Sequence, residues 1–310
     1  MGKKGPKHGS RAYWHRKRAP KLAPRIRAWP TEGKGLAGFA GYKAGMTSVS
    51  MVEDADTPFK GQEIIAPATV LEVPPMYVYS IVAYANTPYG LKAVGEAVAT
   101  GGPKQLSRAV TAGKKPKVTL EQLLQKQGIA SLRAIAFPQP WRTGLGKKTP
   151  EPMEIALCGT LQEQSEFAKA TLGKEVSARD VFKAGDFVDA IAVTTGRGWQ
   201  GVVKRMGVSL NNRKATGVRR HGGSIGGERQ AKVMYTIPRA GQHGFHRRTD
   251  RHKRILAITE GKALAKEFGG YGRAKTDVLF LKGSVPGPRN RLIRLRKNST
   301  SGEPQVKIQG

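Results

Sequence analysis

Between Arg197 and Arg254 the chain carries fifteen lysines and arginines against two acids, Glu228 and Asp250, together with four of its six histidines. The stretch is rich in glycine and shows no sustained helical periodicity. A structureless run of this length inside a compact domain is uncommon, and where it occurs it is functional or ordered by a partner. So dense an excess of one sign repels itself in the compact state unless a polyanion neutralises it. The hydrophobic core must therefore come from the residues on either side.

The N-terminal side repeats the theme. Residues 1–31 hold ten Lys or Arg and no acid, and Pro6, Pro20, Pro24 and Pro30 interrupt any helix, so this segment reads as an extended basic tail. Over all 310 residues, 54 Lys and Arg face 22 Asp and Glu, a formal charge of +32. That excess calls for a phosphate-rich partner ahead of an anionic membrane. With glycine counted, the apolar share is ordinary for a globular chain, which excludes a disordered polycation. The single cysteine, Cys158, cannot form an internal disulfide and sits in an apolar stretch, so it reads as a buried residue of a reducing compartment. No apolar run follows the basic N-terminus, and the longest apolar region, 64–85, is broken by Pro67, Glu72, Pro74 and Pro75. Neither a signal peptide nor a membrane helix is expected, and the location expected is cytoplasmic.

The body is strand-rich. Residues 46–52, 68–73, 76–85 and 91–99 are rich in Val, Ile, Tyr and Thr and punctuated by Gly and Pro, as short strands are. Thr119 with Gln122 forms a capping box for a helix running towards Gly128, and Thr160 with Glu163 opens a second running towards Gly173. Further strands are expected at 129–137, 154–157, 187–194, 255–258, 278–281 and 292–295. Arg289, Arg291, Arg294, Arg296 and Lys297 form a C-terminal basic cluster.

Three motifs invite sharper readings. Gly196-Arg197-Gly198-Trp199-Gln200-Gly201 fits GxGxxG after a strand, but Gly207 interrupts the helix that should follow and no acid stands about twenty residues on. It reads as a Gly-rich turn opening the basic run, with a dinucleotide enzyme as the rival reading. His243 and His246, flanked by His221 and His252, lie among Arg239, Arg247, Arg248 and Arg251, a field that repels a metal cation; phosphate or base contacts are the expected use. Aromatics interleave with cations: Tyr13, Trp14 and His15 in the tail, Trp29 after Arg27, and Trp199 and Phe245 in the run. Such rings stack on unpaired bases while cations track the backbone. Trp29 and Trp199 serve equally well as anchors to a core. A duplex-DNA compactor is the other rival class.

The strings GFAGYKAGMT (38–47), TTGRGWQG (194–201), KRMG (204–207) and PRAGQHGFHRRT (238–249) together resemble the universal large-subunit ribosomal protein three family. PRIRAWP (24–30) and TPYGL (87–91) are similar to its archaeal and eukaryotic branch, and the likeness runs through the whole chain in order. The resemblance implies a mainly β fold with an α/β insertion, a β-barrel of the translation-protein type, an extended N-terminal tail and a long basic loop. The expected divisions are a basic extension at 1–37, a first part of the barrel with the insertion at 38–196, an RNA-threading loop at 197–254 and barrel completion at 255–310.

The function implied is that of a structural constituent, not an enzyme: direct binding of large-subunit (23S-type) rRNA near its 3′ end, nucleation of assembly, and support of the peptidyl-transferase region through the loop. Partners would be that rRNA and neighbouring large-subunit proteins, with no membrane and one copy per ribosome. No cofactor or protein-held metal is expected, only Mg2+ or K+ associated with the rRNA. RNA contacts are assigned in the tail to Arg11, Trp14, His15, Arg16, Lys17, Arg18, Arg25 and Arg27. In the loop they are assigned to Arg197, Trp199, Lys204, Arg205, Arg213, Lys214, Arg219, Arg220, His221, Arg229, Gln230, Arg239, Gln242, His243, His246, Arg247 and Arg248. At the C-terminus they are Arg289, Arg291, Arg294 and Arg296. The loop tip is Ser224, Ile225, Gly226, Gly227 and Glu228, and Glu228 stands where archaeal and eukaryotic relatives typically hold a Trp.

Overall fold

The computed structural model describes residues 15–54, 56–111, 118–214, 217–229, 231–264, 266–298 and 306–308. Arg11, Trp14 and Gln230, all expected at RNA, lie outside the described residues. In chain order the first elements are β1 (Gly35–Leu36), β2 (Gly38–Val52), β3 (Glu63–Glu72), β4 (Met76–Thr87), β5 (Gly90–Val98), α1 (Leu120–Leu124), β6 (Ile129–Pro138), β7 (Met153–Cys158), α2 (Leu161–Thr171) and β8 (Glu175–Val176). There follow α3 (Ala178–Val181), β9 (Phe187–Val193), β10 (Gly196–Gln200), α4 (Val202–Met206), β11 (Gly241–Gly244), β12 (Arg247–Glu260), β13 (Asp277–Lys282), β14 (Leu292–Lys297) and β15 (Val306–Ile308).

One sheet runs β14-β9-β12-β13-β3-β2, and β2 pairs again with β14, with Phe39 opposite Leu295. Six strands thus close on themselves, which removes the exposed edges of an open sheet; β15 adds to β2. Phe39, Val70, Ala190, Ile255, Phe280 and Leu295 are fully buried in its core. Gly38 permits the closure: a Cβ there would lie 2.3 Å from the Leu295 carbonyl oxygen and 2.7 Å from the Trp29 ring. The Glu72 carboxylate, also fully buried, ties the strand ends together. It accepts from the amides of Gly144 (3.1 Å), Lys275 (2.7 Å) and Thr276 (2.9 Å) and from the Tyr271 hydroxyl (2.5 Å). Burial and that carboxylate push the Tyr271 phenol far above its ordinary value, so it stays a donor.

The chain between β3 and β9, together with β1, builds a second antiparallel sheet, β1-β7-β6-β4-β5, with β8 on β4 and the helices α1 and α2. This is the α/β insertion. Both expected capping boxes form: Thr119 with Gln122 and Thr160 with Glu163. α1 stops after five residues, short of Gly128, because one turn suffices to bury Leu123 and the polar residues beyond it have no core to meet. Cys158 is buried, and burial raises its thiol pKa.

The chain divides into two compact units, Leu22–Ala192 with Arg248–Gly310 and Met1–Lys21 with Val193–Arg247. We call them the barrel unit and the basic unit. Residues 22–37 and 248–254 fall in the barrel unit. β12 begins at Arg247, eight residues before the apolar run, because its charged residues have partners: Arg254 is buried and donates bidentately to Asp54 at 2.5 Å on each oxygen.

Candidate nucleic-acid interface

In the basic unit the GxGxxG glycines do not form a phosphate loop. β10 pairs antiparallel with β11, and α4 is five residues long, ended by Gly207 in the left-handed conformation (φ 68°). A dinucleotide fingerprint needs a parallel βαβ unit with a full helix at the turn, so this segment is half of a β-ribbon. Gly244 fixes the ribbon's geometry: its φ is +68° and a Cβ would lie 2.0 Å from the Thr195 carbonyl oxygen.

The ribbon organises the neighbouring tail residues. His246 is buried and its Nδ1 donates to the Lys17 carbonyl at 2.7 Å. The Ala19 amide donates to the Phe245 carbonyl at 2.8 Å, and the Arg18 guanidinium lies 5.1 Å from the Phe245 ring centroid. The His15 ring stacks on Tyr235 at 5.5 Å. Arg205 acts as a clip, donating to the Gln242 (3.0 Å) and Arg239 (2.8 Å) carbonyls while its own carbonyl accepts from Arg16. Desolvation, then the charge of Arg16, lowers its pKa. Gln242 donates to the Gly244 carbonyl at 3.0 Å. His243 is held below its ordinary value by burial and then by Arg197, Arg16, His246 and Arg205, so its ring is neutral at neutral pH.

From 208 to 240 no helix or strand occurs among the described residues. Arg213, Lys214, Arg219, Arg220, His221, Arg229 and Arg239 are all exposed there, as are Arg197, Lys204 and Arg247 nearer the ribbon; Arg248 is half-buried. Trp199 is 77% exposed, so it is no core anchor. His221 meets Asn211 at 3.0 Å and accepts from the Gly223 amide. The tip residues Ser224, Ile225, Gly226, Gly227 and Glu228 are exposed, with the Ser224 hydroxyl donating to the Gly226 carbonyl at 3.2 Å. Counting the whole unit, 19 Lys and Arg face one acid, Glu228, in 76 residues; the other 234 residues hold 35 against 21.

In the barrel unit the predicted contacts fare differently. Arg25 and Arg27 are exposed, Arg25 lying 3.6 Å from Glu154. Trp29 is half-buried: it packs against the barrel core as an anchor does, and part of its ring remains accessible. Arg289 is exposed and donates to the Gly269 carbonyl. Burial lowers the pKa of Arg291. Arg294 is only 6% exposed and spends its donors on the Pro24 (2.7 Å) and Pro152 (2.5 Å) carbonyls, with burial pushing its pKa down to about 10. It is an internal clamp with no face for a phosphate. Arg296 is held by Asp189 and by the Ala28 carbonyl. Sequence reading missed Asp189, Asp54 and Tyr235. Only Tyr235 carried a signal, as another aromatic within the cationic run.

A closed β sheet in one unit, and in the other nineteen cations with one acid and three buried apolar side chains among its described residues, define the class as a strand-rich, strongly basic scaffold protein. The family model described as "Ribosomal protein L3" matches residues 1–307. Large ribosomal subunit protein uL3 of Methanopyrus kandleri is 42% identical, covering 97% of this chain and 89% of the relative. The uL3 proteins of Methanococcus vannielii (44%; 96% and 92% covered) and Archaeoglobus fulgidus (40%; 94% and 91%) are similar over the same extent. The chain belongs to the ribosomal protein L3 family, whose members are structural constituents of the large ribosomal subunit and not enzymes.

Proposed function

We propose that this chain binds large-subunit rRNA directly near its 3′ end, helps nucleate assembly of that subunit, and supports the peptidyl-transferase region through residues 208–240. One observation carries the reading: nineteen cations with a single acid, in a unit whose described residues between 208 and 240 form no helix or strand. Cations presented this way neutralise phosphates and release counterions. Exposed Trp199 and the cations around it suit stacking on unpaired bases. The barrel supplies the rigid base, and neighbouring large-subunit proteins and rRNA-associated Mg2+ or K+ complete the setting. Arg294 is excluded from the RNA-facing set by its burial.

Glu228 gives the tip a negative charge, which phosphates repel; a base amino group, a cation or Arg229 must meet it there. Competition at physiological salt tests the reading. Full-length protein should keep its grip on a 3′-domain fragment of large-subunit rRNA against excess duplex DNA, whereas equal displacement by both would favour a general polyanion binder. Deleting residues 224–230 should leave the barrel folded and change the subunit's translation rate or drug response. Unchanged values would remove the tip from the active region.

A further inference from the structure

The barrel unit carries a cavity of about 440 Å³ whose walls include Trp29, Arg251, His252 and Lys297. Its base is an organised carboxylate. Asp189 is 1% exposed, and its Oδ1 accepts from Asn298 (3.0 Å) and from the His252 amide (3.2 Å), while Arg296 grips Oδ2. Burial opposes its charge, and the hydrogen bonds from Arg296, Asn298 and His252 outweigh that, so its pKa is lowered. His252 has φ +52°, the left-handed region that non-glycine residues seldom occupy. Its amide bond to Asp189 and the edge contact of its ring with Phe187 (5.6 Å) hold that conformation. Strained backbone of this kind persists where the surroundings over-determine it, and it clusters at ligand sites.

The charges do not cancel. Arg251, Arg296 and Lys297 bring three positive charges against the one carboxylate of Asp189, and neither Arg251 nor Lys297 pairs with an acid among the described residues. Arg251 is exposed. Two aromatic rings, the Trp29 indole and the His252 imidazole, complete the walls. The volume lies in the range of about 300–1,000 Å³ typical of small-molecule sites, larger than a lone carboxylate or phosphate needs.

We propose that this notch captures a single unstacked nucleotide of the RNA, its base against Trp29 and His252 and its phosphate on Arg251 and Lys297. The proposal rests on the RNA-binding reading above and adds a site outside the basic unit. An acidic protein side chain would satisfy the cations and leave both rings without a stacking partner, so a nucleotide is the better fit.

Short-wavelength UV crosslinking of the full-length chain to large-subunit rRNA, followed by digestion and mass spectrometry, tests it without altering the protein. A nucleotide adduct on the peptide carrying Trp29 or on that carrying His252 is expected. His252→Asn removes the ring, keeps the amide bond to Asp189 and tolerates a left-handed φ; it should weaken rRNA binding about fivefold or more. Arg251→Gln should lower the salt slope of binding by about one. Adducts in the basic unit alone, with both variants binding like the parent, would overturn the notch and leave the RNA reading standing. No adduct and no binding anywhere would overturn the RNA reading itself. A crosslink from Trp29 or His252 to another protein's peptide in assembled subunits would overturn the notch in favour of a protein occupant.

Discussion

The barrel unit and the basic unit handle positive charge in opposite ways. In the barrel unit Arg254 meets Asp54, Arg296 meets Asp189, Arg133 meets Glu154 and Lys282 meets Glu53. In the basic unit Arg205 and Arg219 donate to backbone carbonyls instead. A carbonyl satisfies a guanidinium's hydrogen bonds and leaves its charge uncancelled. The cores differ in step. Dozens of apolar side chains are buried in the barrel unit, against Val193, Val202 and Met206 among the described residues of the basic unit. One unit pairs many of its cations with acids of its own; the other holds nineteen cations against one acid.

Substitutions can break that contrast at several points. The largest effect belongs to Glu72→Ala, which strips the acceptor from three amides and a phenol in the barrel: a loss of about 4 kcal/mol or more in denaturant unfolding is expected. A loss below about 1 kcal/mol would show that the barrel does not depend on internal pairing. Asp189→Asn should follow at about 3 kcal/mol, since Arg296 then loses its counter-charge in a mostly buried setting. Gly244→Ala forces a Cβ onto Thr195 and should cost about 2 kcal/mol locally. Its effect should appear as faster amide exchange in β10 and β11 while β2, β3 and β13 keep their protection. A uniform loss of protection would mean that the two units do not differ in independence.

The smallest effect is a pH response. His243 has a folded pKa below the ordinary value of about 6.5, so the unfolded ribbon takes up the proton first. The ribbon's stability is therefore full above that window and declines as pH falls through it. Protection factors in β10 and β11, corrected for the intrinsic pH dependence of amide exchange, should fall on acidification through that range, and His243→Gln should lessen that fall.

The strand-rich body was legible from local pattern. Thr119 with Gln122 and Thr160 with Glu163 mark their helices through short-range chemistry that sequence spacing displays directly. Closure of the barrel was not visible in this way, because the pairing of Phe39 with Leu295 joins residues at opposite ends of the chain, and periodicity says which face is apolar without naming its partner. The family resemblance supplied it. The C-terminal cluster misled for the same reason. Arg294 and Arg296 alternate with Ile293 and Leu295 as a surface row would, yet carbonyls of Pro24, Pro152 and Ala28 and the Asp189 carboxylate take them up. The basic run was legible as charge; the ribbon of β10 and β11 at its base depends on glycine geometry over more than forty residues of separation.

In the proposed function, RNA phosphates balance the charge of the basic unit. Binding of the full-length chain to a 3′-domain fragment of large-subunit rRNA, measured across a salt series, tests it most directly. The predicted result is a steep linear fall of log affinity with log salt, with the slope shallower by about three when Arg213, Lys214, Arg219 and Arg220 are all replaced by Gln. An affinity that stays flat across the series, or a slope that the four replacements leave unchanged, would contradict it.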